Sequence, residues 1–269
     1  MSPIFDAEAA ARVLLEVRGG GARPVGLPAT PPDPEAAYAV QAAVMRQSAG
    51  PASWKMALLA GRDRHAAAMP ASEVMASGAT LGPLPADAAI EVETAFILGV
   101  DLPAGSTPEA ALAAVAEVRL AFEIVSSRYR DRTVVHPLEA MADCFNSAGI
   151  VLGDAIPDWQ DRLNGPLDLT LSLDGQPVVA TEQGATLPQT ADFLAWLSTR
   201  AANMGLPLEA GTVIISGARI GPIPLGGARE AKARAGAVTV GASFLPAAQL
   251  GSGGGSRERD ALASGSPSL

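Results

Sequence analysis

The sequence predicts an α+β fold with a mixed sheet, in which a helical N-terminal third precedes a β-rich body carrying one late helix. Three patterns predict it. Apolar residues fall at helical spacing in the first 50 residues, strand-like runs dominate from about residue 90, and one amphipathic stretch interrupts them at 190–205.

In order, Ala9, Val13, Leu14 and Val17 space a helix over 6–18, which Gly19 to Gly21 stop. A Pro-rich linker covers 22–32. Asp33 and Pro34 then supply an N-cap and a first-turn proline for a helix running to about Ser48, ended by Gly50-Pro51. SWKMALL (53–59) reads as a short strand, and 61–80 as a polar connection punctuated by Gly and Pro. IEVETAFIL (90–98) and VRLAFEIVS (118–126) are strand-like, separated by a Pro108-led helix at about 108–116, and 136–143 is a helical turn. Three more strands are expected between 146 and 182, the last two joined by the Asp174-Gly175 hairpin signal. The helix at 190–205 closes on Gly205, with Trp196 read as core, and VIISG (213–217) and AVTVGASF (237–244) complete the sheet.

This divides the chain into an N-terminal helical part (1–50), a β-rich body (51–248) and a tail (249–269). After Phe244 the composition turns Gly/Ser-rich, so the tail is expected to be disordered and without a catalytic role.

The bulk numbers bound the function. At 48% apolar and 17% charged residues the chain has a globular composition, and 4% aromatics leave the core to Ala, Val, Leu and Ile. A net charge of −9 argues against a nucleic-acid surface, which needs Lys and Arg to displace counterions. Cys144 is the single cysteine, so no internal disulfide can form and a reducing compartment is the natural reading. The first residues lack a signal-peptide pattern, and no stretch approaches the ~18 apolar residues of a spanning helix. A cytoplasmic protein without membrane partners is expected.

Glu91 and Glu93 flank Val92 on a strand, so both side chains point to one face. Two carboxylates among apolar neighbours repel unless something positive lies between them, and a hard divalent cation answers that need. Glu123 is equally out of place between Ala121, Phe122, Ile124 and Val125. The three acids together point to one Mg2+ or Mn2+. The alternative is an edge strand whose glutamates face water. Lys55, between Trp54 and Met56, is one of only two lysines. It is either poised over a pocket or a surface lysine with a buried stem. His65 and His136 are too few and too scattered for a metal site of their own, and Cys144 reads as a small buried hydrophobe.

Taken in order, SWK (53–55), IEVETAFILGVDLP (90–103), AFEIVSSRYRD (121–131), MADCFNSAGIVLG (141–153), FLAWL (193–197) and LEAGTVIISG (208–217) resemble the fumarylacetoacetate hydrolase superfamily. The closer match is its 2-oxopent-4-enoate hydratase and 4-oxalocrotonate decarboxylase branch, over roughly residues 5–245. The resemblance implies a mixed β-roll like the C-terminal domain of fumarylacetoacetase, a homo-oligomer, and possible complexation with a related pathway enzyme. It also implies one Mg2+ or Mn2+ on Glu91, Glu93 and Glu123, with Lys55 as the active-site lysine and Ser216 and Gly217 at the substrate. The family's loop acid falls on Ala71 if Pro70 is the matching proline, or on Glu73 if the count from Lys55 runs without a gap. Two further departures are Cys144 in place of an Asn, and Ala218 where a polar residue usually follows the Ser-Gly pair.

The implied activity is a hydro-lyase adding water to a 2-hydroxy-2,4-dienoate or 2-oxo-alkenoate, as in aromatic-compound catabolism. A decarboxylase, or a C–C hydrolase using His65 and Glu73, stands as the alternative on the same scaffold. A non-catalytic partner subunit is the reading from another class.

Overall fold

The computed structural model describes residues 5–48, 50–59 and 63–246. The tail expected at 249–269 lies outside the described residues.

The N-terminal helices form where their caps and apolar stripes place them. Asp6 caps α1 (Ala7–Arg18) by accepting from Ala9 N–H at 3.0 Å, and Asp33 caps α2 (Pro34–Arg46) through Ala36 N–H at 2.8 Å. Ala10, Leu14, Tyr38, Val40 and Val44 bury one another and, with Tyr129 and Met141, make a small core separate from that of the sheets.

The stretch read as an irregular connection at 61–80 is largely β. After β1 (Ala52–Leu59) the chain turns back as β2 (Asp63–Pro70), then forms β3 (Val74–Ala76) and β4 (Ala79–Leu81). Its apolar residues are mostly alanines and methionines, which carry little strand signal in a sequence. β2 is an edge strand, and α2 covers that edge. Tyr38 Oη accepts from Ala66 N–H at 3.2 Å, and Gln41 Oε1 from Ala68 N–H at 3.0 Å.

β5 (Ala89–Leu98), α3 (Pro108–Ala113) and β6 (Val115–Val125) follow, then α4 (Pro137–Ala142), β7 (Ser147–Ala155) and the short α5 (Trp159–Arg162). β8 (Thr170–Leu173) and β9 (Gln176–Val178) meet at Asp174-Gly175, both at positive φ as a type I′ turn requires. The late helix α6 (Leu187–Asn203) starts earlier than its apolar pattern suggests, because Thr186 and Gln189 form a capping box. β10 (Val213–Ile215), β11 (Ile220–Pro224), β12 (Glu230–Ala235) and β13 (Val238–Phe244) close the chain. β12 alternates buried Ala231, Ala233 and Ala235 with exposed Glu230, Lys232 and Arg234, a period of two hidden in the sequence by the small size of alanine.

One sheet runs β2-β1-β10-β5-β6-β7-β3 with β11 also on β5, and the other runs β4-β13-β12-β8-β9. Parallel and antiparallel pairs occur in both, and the helices are few, which bears out the α+β reading. The sheets touch where β13 packs on β7. At Gly153 a Cβ would lie 2.4 Å from the Thr239 carbonyl oxygen and 2.6 Å from Val240 Cβ. Gly153→Ala should therefore lower stability by about 1–3 kcal/mol, the usual cost of overpacking, read as a drop in melting temperature. Among the described residues, no helix is long and apolar enough to cross a membrane.

Candidate active site

β5 and β6 lie inside the sheet, so their glutamates do not sit on an edge. The antiparallel register sets Glu91 opposite Glu123 and Glu93 opposite Ala121. Like charges directly across a strand pair are destabilising, and here they are also buried. Glu93 and Glu123 are 0% exposed and Glu91 is half-buried. One carboxylate oxygen from each of the three lies within 4.8 Å of the others. The opposite face of the same strands carries Ile90, Val92, Phe96, Leu120 and Phe122, which pack into the main core.

Lys55 enters this group from β1. It is 8% exposed, and its Nζ donates to Glu123 Oε1 at 2.5 Å, so it is no surface lysine. Burial works against its charge, but Glu123, Glu91 and Glu93 outweigh burial and hold its pKa above the ordinary lysine value. Burial, and next Glu123, push Glu91 up to about 7. Glu93 is driven well above the usual carboxylate range by burial first, then by Glu123 and Glu91.

The partner strand of β5 changes at the site. β10 pairs with Ala95–Ile97 and β11 with Val92 and residues before it, so Ser216–Arg219 loops out opposite Glu93 and Thr94. The gap frees Gly217 N–H to donate to Glu93 Oε2 at 2.7 Å. The Ser216 hydroxyl is held by Thr94, Oγ to Oγ1 at 2.8 Å. A cavity of about 520 Å3 borders the far side of this loop, lined by Met56, Gln183, Gln189, Phe193, Ser216 and Gly217 among others, and neither Lys55 nor the three glutamates line it.

The donor set fits a cation. Among the described residues, Glu93 Oε1 and Glu123 Oε2 are buried without any hydrogen-bond partner, although each glutamate's other oxygen is satisfied. Ionised together, three carboxylates against one ammonium would carry a two-fold negative excess, and their burial and mutual repulsion raise Glu91 and Glu93 in answer. Carboxylate oxygens of this kind suit a hard divalent ion.

Other residues singled out in the sequence fall elsewhere. Glu73 ends a short 3-10 turn after β2, outside the carboxylate cluster, and is ion-paired with Arg18 of α1. His65 faces Tyr38 and Phe145 while Glu73 pairs with Arg18, so among the described residues no hydrogen bond or ion pair joins the His65 and Glu73 that a C–C hydrolase would use. His136 caps α4 by accepting from Leu138 N–H at 3.2 Å. Cys144 is buried, donates to the Ala68 carbonyl at 3.2 Å, and has its thiol pushed up to about 11 by burial, which suits packing rather than attack.

Sequence reasoning missed the supports. Glu182 accepts from the backbone N–H of Leu167 and Leu169 and pairs with Arg219 at 2.9 Å. This pair braces the segment carrying Gln183 beside the cavity. Its members sit in irregular segments 37 residues apart, where no periodicity points to either.

No family model matches the chain. In sequence it is 36% identical over 136 residues to a 4-oxalocrotonate decarboxylase of a Pseudomonas species, covering 51% of this chain and 52% of that one. It is 34% identical over 135 residues to 2-keto-4-pentenoate hydratase of Burkholderia vietnamiensis, covering 50% and 51%. The chain thus spans about half the length of the curated relatives it matches. In fold it is similar to 4-oxalocrotonate decarboxylase from Pseudomonas putida G7, solved with magnesium and adipate, with a TM-score of 0.70 and 18% identity over 91% of this chain and 100% of that one. The resemblance to the 2-oxopent-4-enoate hydratase and 4-oxalocrotonate decarboxylase branch of the fumarylacetoacetate hydrolase superfamily is thereby borne out, in sequence over half of the chain and in fold over nearly all of it.

Proposed function

We propose that the chain is a divalent-cation-dependent hydro-lyase, adding water to a 2-hydroxy-2,4-dienoate or 2-oxo-alkenoate to give a 4-hydroxy-2-oxo acid. The observation that carries this reading is the pair of buried, unpartnered oxygens on Glu93 and Glu123 beside Lys55. Glu91, Glu93 and Glu123 are the residues that would hold Mg2+ or Mn2+. Such an ion supplies Lewis-acid polarisation and a template for a chelating 2-oxo acid.

The chain's own groups supply the rest. Lys55, kept protonated by three carboxylates, provides positive charge and a proton where negative charge builds on the substrate. Gly217 N–H fixes one oxygen of Glu93 and so leaves the other free. Ser216 and Gly217, in the loop opposite Glu93, are the residues placed to meet the substrate. The reading extends to a cytoplasmic homo-oligomer, as the resemblance implies.

Decarboxylation of a 2-oxo dioate is the second reading. It is favoured by the match to 4-oxalocrotonate decarboxylases in both sequence and fold. Product analysis separates the two. With Mg2+, 2-hydroxypenta-2,4-dienoate should give 4-hydroxy-2-oxopentanoate, and chelation should stop it. Release of CO2 from 2-oxohex-3-enedioate without hydration of the monoacid would replace the hydratase assignment by the decarboxylase one. Turnover undiminished by chelation would sink both.

A further inference from the structure

A second cavity, of about 350 Å3, lies between the end of α1, the loop after it and the exit of β6. Its charged lining residues are Arg18, Arg23, Arg128 and Glu73, with Ser126 and Ser127 beside them. Two of the three guanidiniums are consumed. Arg18 is paired with Glu73, and Arg128 with the fully buried Asp143, which also accepts from Arg128 N–H at 2.9 Å.

Arg23 differs. It is half-buried, its Nη2 donates to Ser126 Oγ at 3.3 Å, and it forms no ion pair among the described residues. The loop that carries it is tied at both ends, by Gly21 N–H to the Glu16 carbonyl and by Arg130 N–H to the Pro24 carbonyl, each at 2.8 Å. Burial disfavours its charge and the neighbouring Arg128 adds to that, while Asp87 opposes it. Donor capacity is also unspent at the wall, because Arg18 Nε is buried without a partner among the described residues.

We propose that this cavity is a carboxylate subsite in which Arg23 supplies the free charge, and that it receives the distal carboxylate of a 2-oxo dioate. The first half stands on the cavity alone; the second rests on the lyase reading above. One unspent guanidinium beside a paired carboxylate suits a singly charged carboxylate better than a phosphate dianion. The reach is also right. Ser126 still pairs with Asn146, its N–H donating to that carbonyl at 2.8 Å, and it stands three residues beyond Glu123 on the same run of chain. That is about 10 Å of extended chain past the end of β6, a separation of the order that a dioate of about six carbons and the side chains at its two ends span.

Two measurements on the Mg2+-loaded protein test it. The first is the ratio of kcat/KM for 2-oxohex-3-enedioate over 2-hydroxypenta-2,4-dienoate, in wild type and Arg23→Gln. The ratio should fall about 10- to 100-fold in the variant, through KM, the scale of one lost charge-assisted hydrogen bond. Arg23→Lys should restore part of it, keeping the charge but not the fork. An unchanged ratio overturns the assignment of the distal group. The second is calorimetric binding of adipate, hexanoate and inorganic phosphate. Wild type should prefer adipate, and Arg23→Gln should lose that preference. Equal binding of adipate and hexanoate, or tighter binding of phosphate, overturns the carboxylate subsite. A protein that prefers adipate through Arg23 yet turns over neither substrate would keep the subsite and remove the lyase reading.

Discussion

Glu93→Gln should weaken Mg2+ and Mn2+ binding by about 10²-fold or more, beyond what loss of even a supporting group around a metal ligand costs. Glutamine keeps the volume and can still accept from Gly217 N–H, so the local fold survives. What it removes is one negative charge and, wherever the amide nitrogen faces inward, one of the two unpartnered buried oxygens. Glu91→Gln and Glu123→Gln should act in the same direction, and calorimetry showing unchanged affinity in all three variants would remove the cation from the site.

The same titration should depend on pH. With no cation, Glu91 has its pKa pushed up to about 7 and Glu93 higher than its ordinary value, so protons compete with the ion. Affinity should therefore rise as pH rises through about 7. Stability without cation moves the other way. A carboxyl whose folded pKa exceeds the ordinary 4.5 contributes stability that is complete below 4.5 and is lost as pH rises toward about 7. The melting temperature of the cation-free protein should fall across that window, and added Mg2+ should oppose the fall.

Lys55→Ala should lower kcat by about 10²-fold or more at saturating metal, the scale of a lost acid–base or electrostatic group. Its effect on the cation should be the reverse of the glutamate variants. Removing the ammonium 2.5 Å from Glu123 leaves three carboxylates uncompensated, so cation affinity should hold or rise while turnover collapses. Lys55→Arg should not rescue. The guanidinium is larger than the ammonium buried against Glu123, and it does not give up its proton. Near wild-type turnover in Lys55→Ala would make Lys55 a structural counter-ion and leave the carboxylates to act alone.

Much of the site was legible in the sequence because it breaks local rules. Glu91, Glu93, Glu123 and Lys55 are charged residues inside strands that otherwise read as core, and strand periodicity alone sets Glu91 and Glu93 on one face. The helix cap at Asp33 and the Asp174-Gly175 turn were equally local, since each is a short-range hydrogen bond or a backbone conformation encoded within four residues. β2 and β12 were not legible, for their buried faces are mostly alanine, and alanine marks a strand only when something packs against it.

Whether the glutamates faced water or each other was decided by the tertiary structure. The register placing Glu91 opposite Glu123, the central positions of β5 and β6, and the swing of Lys55 across from β1 depend on pairings between residues far apart in sequence. So does the break between β10 and β11 that aims Gly217 N–H at Glu93, and the unspent charge of Arg23, which follows from Glu73 taking Arg18 and Asp143 taking Arg128. Periodicity is a property of neighbours along the chain and tells which face a side chain occupies. Charge compensation is a property of neighbours in space, and only the folded chain brings those together.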